Sequence, residues 1–212
     1  MKHNNFNRVF YCFIFFWAFS VTTWAQKPKE ASTYEKATFG AGCFWCIEPP
    51  YDKTKGVIKT EVGYSGGRSA DASYKKVSQG TTGHLEVIQV TFDPKVISYA
   101  EIVDIFWKNV DPFNGDGQFC DKGPQYRSAI FYHNKAQENI ARQSKKKLEQ
   151  DPRYKKFGKV QTDMLPFDAF YLGEEYHQDY YVKNPTRYKF YRYSCGRDKR
   201  LKEIWGTKKP AA

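Results

Sequence analysis

Gly40-Ala41-Gly42-Cys43-Phe44-Trp45-Cys46 packs two glycines, two thiols and two large aromatic side chains into one short stretch. Glycine adopts backbone conformations that a Cβ resists, so a Gly-x-Gly ahead of a Cys reads as a tight exit from a strand. The apolar run behind it reads as the opening of a short helix. A thiol in the first turn of a helix meets unsatisfied N–H groups and the positive end of the macrodipole, both of which favour thiolate. Cys43 is therefore the candidate nucleophile, and its pKa is expected to be lowered.

Outward from this point, periodicity predicts strands over 34–41 and 57–64, and a short helix over 43–51 damaged by Pro49-Pro50. A helical turn is expected at 73–77. The run Leu85-Glu86-Val87-Ile88-Gln89-Val90-Thr91-Phe92 has apolar residues on both faces, as a central strand does. Ile102, Val103, Ile105, Phe106, Trp107 and Val110 recur at helical spacing. A polar, Gly-rich loop covers 111–124, a strand 127–132, a long helix 134–150 with Asn134 as its N-cap, and a last strand 160–165. A further helical stretch is expected within 173–181, and the rest of the chain after Pro166 reads as largely irregular.

Several connections are too short for parallel crossovers. The expected fold is α+β, a two-layer sandwich with a mixed, mostly antiparallel sheet, a ferredoxin-like core over about 34–181 and a long irregular tail over 182–212. Residues 26–212 are long enough for one domain with its own core.

Residues 1–25 read as an address rather than as fold. Lys2, His3 and Arg8 precede an apolar, aromatic stretch that ends at Thr23-Trp24-Ala25, the pattern of a secretory signal peptide cleaved before Gln26. Ser20, Thr22 and Thr23 leave the uninterrupted apolar part short for an uncleaved anchor. An extracytoplasmic, for example periplasmic, location is expected, with no stable membrane association after cleavage.

The whole chain carries a formal charge of +11. The basic residues are spread along it without a nucleic-acid signature, so solvated surfaces are expected and nucleic acid is not. Cys12 lies in the leader. Cys43, Cys46, Cys120 and Cys195 remain, and Cys43-x-x-Cys46 lacks the second pair of ligands that a zinc site would need. No metal and no prosthetic cofactor are expected.

Glu86 lies inside an apolar run, where an inward carboxylate would be expensive to ionise and its pKa would rise. That makes it a candidate general acid, although strand alternation could equally turn it to solvent. Tyr64 ends the second strand and Tyr126 follows the loop that holds Asp121.

Together, Gly42-Cys43-Phe44-Trp45, Val62-Gly63-Tyr64-Ser65-Gly66-Gly67, Gly83-His84-Leu85-Glu86, Asp121-x-Gly123-x-Gln125-Tyr126-Arg127-Ser128 and Glu175-Tyr176-His177-Gln178 resemble the A-type peptide-methionine sulfoxide reductases. The resemblance implies reduction of the S epimer of methionine sulfoxide, protein-bound or free. It assigns Cys43 to attack on sulfur, Glu86 to protonation of the departing oxygen, and Tyr64 and Tyr126 to hydrogen-bonding that oxygen. Asp121 would order the polar side, and Phe44 and Trp45 would seat the S-methyl group.

The sulfenic acid left on Cys43 must condense with a second thiol. Cys46 is the first candidate, Cys195 the second and Cys120 the third, and Cys46 departs from the Gly commoner in the family. A thioredoxin-like reductant is the implied electron donor, and a monomer is expected. Two readings compete. One is an exported thioredoxin-like thiol–disulfide oxidoreductase using Cys43-x-x-Cys46; the other is a basic protein that binds anionic surfaces without catalysis.

Overall fold

The computed structural model describes residues 33–206, so the reading of 1–25 as a leader lies outside the described residues. The sheet is built around β3 (Leu85–Phe92), almost wholly buried along its length. β1 (Glu35–Ala41) pairs antiparallel with it on one side and β2 (Val57–Ser65) on the other. β6 (Ser128–Tyr132) extends the sheet beyond β1, β7 (Asp163–Pro166) lies parallel to β6, and the two-residue β8 (Tyr171–Leu172) closes the other edge. The order β7-β6-β1-β3-β2-β8, with one parallel pair, is the mixed and mostly antiparallel sheet of an α+β fold.

Helices cover the sheet for reasons readable in their sequences. α3 (Tyr99–Lys108) starts with a capping box, in which the Ser98 hydroxyl accepts from Glu101 N–H and the Glu101 carboxylate accepts from Ser98 N–H. It buries Ile102, Val103 and Phe106, and Phe106 stacks on Phe39 of β1 with ring centroids 5.1 Å apart. α4 (Lys135–Gln150) is capped by Asn134, whose side chain accepts from Gln137 N–H. The prolines expected to damage the first helix instead sit in the first turn of α1 (Glu48–Asp52), where a missing N–H goes unnoticed. α2 is a single turn (Tyr74–Val77), and β4 (Gly117–Gln118) and β5 (Asp121–Lys122) form a small hairpin inside the loop expected over 111–124.

The C-terminal segment corrects the sequence reading. After α5 (Tyr180–Lys183), the expected irregular tail forms α6 (Pro185–Ser194) and α7 (Arg197–Trp205). Both lack a broad apolar stripe: α6 buries no residue fully and α7 buries only Arg197 and Ile204. A helix docked by a few polar anchors leaves no 3.6-residue hydrophobic signal. The anchors are the Arg197 guanidinium, which donates to the carbonyls of Ala41 and Asn109, Arg200 on the Asp111 carboxylate at 2.7 Å, and the Trp205 indole on the Val110 carbonyl at 3.1 Å.

Glu48 opens α1 with 1% of its surface exposed. Its Oε1 accepts from Asp179 N–H at 3.2 Å, while its Oε2 has no partner and Asp52 and Asp179 stand close by. Burial, with Asp52 and Asp179 adding, pushes its pKa from 4.5 to about 8, against the Asp179 N–H and Lys183. Between those two values the folded chain keeps a proton that the unfolded chain has released, so this group's contribution to stability is full below 4.5 and falls until about pH 8. Glu48→Gln is expected to raise stability at pH 8 by on the order of 2 kcal/mol and to change little near pH 4.5. Urea unfolding at the two pH values measures the difference.

Candidate active site

The strand β1 delivers the chain to Gly42, whose φ of 79° turns it sharply; a Cβ there would stand 2.5 Å from Gln118 Cβ. Cys43 follows, and residues 44–46 close a single 3-10 turn with Cys46 N–H donating to the Cys43 carbonyl at 3.0 Å. The two N–H groups at the head of this turn are spent on carboxyl groups. Phe44 N–H donates to Glu86 Oε2 at 3.1 Å, and Cys43 N–H to Asp121.

That allocation overturns the expected acidity of Cys43. The turn is too short to build a macrodipole, its donors face carboxyls and not sulfur, and the thiol is buried. Burial, a hydrogen bond to Cys46, and the neighbouring Glu86, Cys46 and Asp121 raise the Cys43 pKa well above the ordinary thiol value. Cys46 moves the other way. The Cys43 hydrogen bond, Arg197 and Arg192 lower it, against burial and Asp121.

Glu86 points inward from β3, 2% exposed and directly opposite Tyr64 in the ladder with β2. Burial pushes its pKa to about 8, opposed by the Phe44 N–H and reinforced by Asp121, Cys46 and Glu174, so the carboxyl is protonated at neutral pH. Asp121, at the start of β5, is also raised by burial, while Tyr191, Arg197 and the Cys43 N–H pull it down. The Tyr191 hydroxyl donates to Asp121 Oδ1 at 2.5 Å.

The two tyrosines are not equivalent. Tyr64 is buried and its hydroxyl donates to Glu174 Oε2 at 2.7 Å, so its proton is already committed. Glu174 Oε1 also accepts from Tyr74 N–H at 2.9 Å. Tyr126 is half-buried, and its pKa is raised by burial and by Glu86, Tyr74, Cys43 and Asp121, which places its phenol among the site's acids. Phe44 is buried between Tyr64 and His177, with centroids at 6.0 and 4.8 Å. Trp45 is half-buried, stacks on Tyr180 at 3.7 Å and donates its indole N–H to His177 Nδ1 at 3.0 Å.

Cys120 and Cys195 are joined in a disulfide with an S–S distance of 2.09 Å, and Cys43 and Cys46 are free thiols. Of the three thiols considered as partners for Cys43, Cys46 alone stands reduced beside it. The disulfide adjoins Asp121, and Cys195 borders a cleft of about 520 Å³ lined also by Asp111, Phe113, Phe119 and Arg200. Cys120, Asp121 and Cys195 lie close enough to share a metal ion, but the disulfide occupies both sulfurs.

Glu174, Tyr191, Arg192 and Arg197 were not singled out from the sequence. A signal existed for two of them: Glu174 adjoins the Glu175-Tyr176-His177-Gln178 motif, and Arg197 follows Cys195-Gly196.

The model of the family "Peptide methionine sulfoxide reductase" matches residues 35–209. The peptide methionine sulfoxide reductase MsrA of Bacillus licheniformis is 46% identical over 178 residues, covering 84% of this chain and 97% of that protein. MsrA/MsrB of Vibrio cholerae is 45% identical over 197 residues, 90% of this chain, which spans about half (52%) of that longer protein. Among solved structures, methionine sulfoxide reductase A of Corynebacterium diphtheriae superposes with a TM-score of 0.69 at 31% identity, over 74% of this chain and 77% of that one. Reduced Mxr1 from Saccharomyces cerevisiae gives 0.66 at 37% identity, over 72% and 86%. A family model spanning nearly every described residue, and relatives this similar along most of the chain, agree on one assignment: the chain belongs to the peptide methionine sulfoxide reductase family.

Proposed function

We propose that the protein reduces the S epimer of methionine sulfoxide, in proteins or as the free amino acid, to methionine. The observation that carries this is a thiol and a neutral carboxylic acid held by one turn of chain: Cys43 and, through the Phe44 N–H, Glu86. Oxide is a poor leaving group, so sulfur attack on a sulfoxide needs a proton delivered to oxygen as the new bond forms. Glu86 supplies it. Tyr126 donates a hydrogen bond to the same oxygen, Tyr64 shapes the site from its fixed position on Glu174, and Asp121 orders the backbone of Cys43.

Phe44 and Trp45 seat the S-methyl group, since apolar aromatic faces and edges hold thioether-like sulfur well. Polar donors on one side and rings on the other make the site handed. The resulting Cys43 sulfenic acid condenses with Cys46, giving a disulfide and water. A thioredoxin-like dithiol then returns two electrons per turnover. Cys120 is exposed and the Cys120–Cys195 disulfide lies on the same side as Asp121, which supports it as a second couple open to that partner.

The purified protein with dithiothreitol is expected to convert (S)-methyl p-tolyl sulfoxide to the sulfide and leave the R form, followed by chiral chromatography. Loss of neither enantiomer, or equal loss of both, would refute the assignment. Trp45→Ala is expected to raise KM by about 10-fold with a smaller change in kcat, the scale of one lost apolar contact. A thiol–disulfide oxidoreductase is not favoured, because the family model that matches residues 35–209 is that of the peptide methionine sulfoxide reductases. Export is part of the proposal and is supported by the charged and apolar pattern of residues 1–25; the intact mass of the mature protein tests it.

A further inference from the structure

Glu48 has one oxygen that the fold provides for and one that it does not. Oε1 accepts from Asp179 N–H at 3.2 Å, whereas Oε2 is sealed from solvent without a partner, on a residue only 1% exposed. A buried acceptor left open is costly, the more so when it carries charge. The same carboxyl belongs to a cluster drawn from two distant parts of the chain. One oxygen each of Glu48 and Asp52, both in α1, and of Asp179, the residue ahead of α5, lie within 4.8 Å of one another.

The groups that face this cluster leave it short of positive charge. The Asp52 carboxylate accepts from the Thr60 and Tyr181 hydroxyls, which are neutral donors. The ammonium of Lys183 acts on Glu48 and Asp179, but it is held by the carboxylate and the carbonyl of Glu175 at 2.8 and 3.1 Å. Among the described residues no lysine or arginine forms an ion pair with any of the three. One proton neutralises one carboxylate of three. A cation serves all of them at once. Oxygen donors without nitrogen or sulfur select hard divalent ions. Oxygens on one Ca²⁺, bound at about 2.3–2.6 Å, stand as much as about 5 Å apart, whereas those on Mg²⁺ stand no more than about 4.2 Å apart. A spacing of up to 4.8 Å is therefore spanned by Ca²⁺ with the side chains where they stand.

We propose that Glu48, Asp52 and Asp179 form a binding site for a divalent cation, Ca²⁺ in preference to Mg²⁺, with water filling the remaining positions. The ion takes no part in the chemistry. Its effect is to join α1, separated from Cys46 by Ile47 alone, to the segment that backs Trp45. Tyr180, next to Asp179, stacks on the Trp45 ring at 3.7 Å, and His177 accepts from its indole N–H. Binding thus steadies the aromatic seat assigned to the substrate's S-methyl group, and that consequence alone rests on the reductase reading.

Thermal unfolding of the EDTA-treated protein at pH 8, with ionic strength held constant by NaCl, tests the binding. Ca²⁺ at about 10 mM is expected to raise the midpoint by about 3–10 °C, the shift produced in a chain of this size by a site with Kd on the order of 10⁻⁴–10⁻³ M, and Mg²⁺ is expected to raise it less. Asp179→Asn, at an exposed position and with its backbone N–H still on Glu48, is expected to keep the EDTA midpoint within about 2 °C and to lose the calcium shift. Glu48→Gln, the more stable chain at this pH without the ion, is expected to gain nothing from it; should it fail to fold, Asp179→Asn decides alone. The absence of a shift beyond that of NaCl, or an equal shift in Asp179→Asn, would overturn the proposal and leave a proton as the partner of Oε2. A Mg²⁺ shift as large as that of Ca²⁺ would overturn the choice of ion. None of these readings needs substrate, so they succeed or fail independently of the reductase assignment. KM for (S)-methyl p-tolyl sulfoxide is expected to fall with Ca²⁺ in wild type and to stay unchanged in Asp179→Asn; an unchanged wild-type KM would overturn the link to Trp45.

Discussion

Glu86→Gln slows the sulfoxide step by on the order of 10²–10³-fold and removes the alkaline limb of the pH–rate profile. The amide keeps an oxygen for the Phe44 N–H, so the turn that carries Cys43 holds its shape. What disappears is a carboxyl in contact with that turn that is protonated at neutral pH and able to give up its proton. In the wild type the donor form of Glu86 predominates below about pH 8, so the rate falls tenfold per pH unit above that value. In the variant that descent is gone and only the rise from thiol ionisation remains. A stopped assay of sulfide release in a single turnover from pH 6 to 10 reads both effects. A profile with its alkaline limb intact would remove Glu86 from the proton-donor role whatever the size of the rate loss.

Glu86 also shows how far local sequence reaches. The run from Leu85 to Phe92 announces a strand with two apolar faces, and a carboxylate within it announces a choice between solvent and core. Only the ladder that puts Glu86 opposite Tyr64, with the Phe44 N–H turned toward it, makes the choice. The places of β1, β2, β3 and β6 along the chain and the existence of α3 and α4 were legible because short-range periodicity and turn signals specify them.

The parts that local sequence does not announce share one physical property: each is fixed by partners far along the chain. Tyr64 and Glu174 are 110 residues apart, Arg192 and Cys46 146, and Arg197 and Ala41 156. The acidity of Cys43 failed as an expectation for the same reason. A helix start favours a thiolate only while its N–H groups are free, and here Glu86 and Asp121, from two other strands, had taken them. Likewise α6 and α7 are docked by single guanidinium and indole groups, which no apolar period reports.

Gly63→Ala is expected to cost about 3 kcal/mol of stability and to remove most reductase activity, although Gly63 touches no reacting group. A Cβ at this position in β2 would lie 2.2 Å from the Tyr171 carbonyl oxygen and 2.8 Å from the Phe170 ring. The ring could turn, but the carbonyl is backbone of β8, paired to Gly63 itself through Leu172. Relief therefore requires β8 to leave the sheet edge. Much of what fixes the segment after it hangs on β2: Gly173 N–H donates to the Val62 carbonyl, the Gln178 side chain bonds both the N–H and the carbonyl of Val62, and Glu174 accepts from Tyr64. Moving β8 thus draws Glu174 away from Tyr64, leaving it the Tyr74 N–H, and displaces His177 relative to the Trp45 indole. Thermal unfolding is expected to shift down by about 6–12 °C, at roughly 2–4 °C per kcal/mol for a chain of this size. Gly115→Ala is the matched comparison, because a Cβ there meets only the Gln161 side chain at ordinary contact distance, 3.5 Å. If the two alanines behaved alike, the edge strand would not be what holds Glu174 and His177 in place.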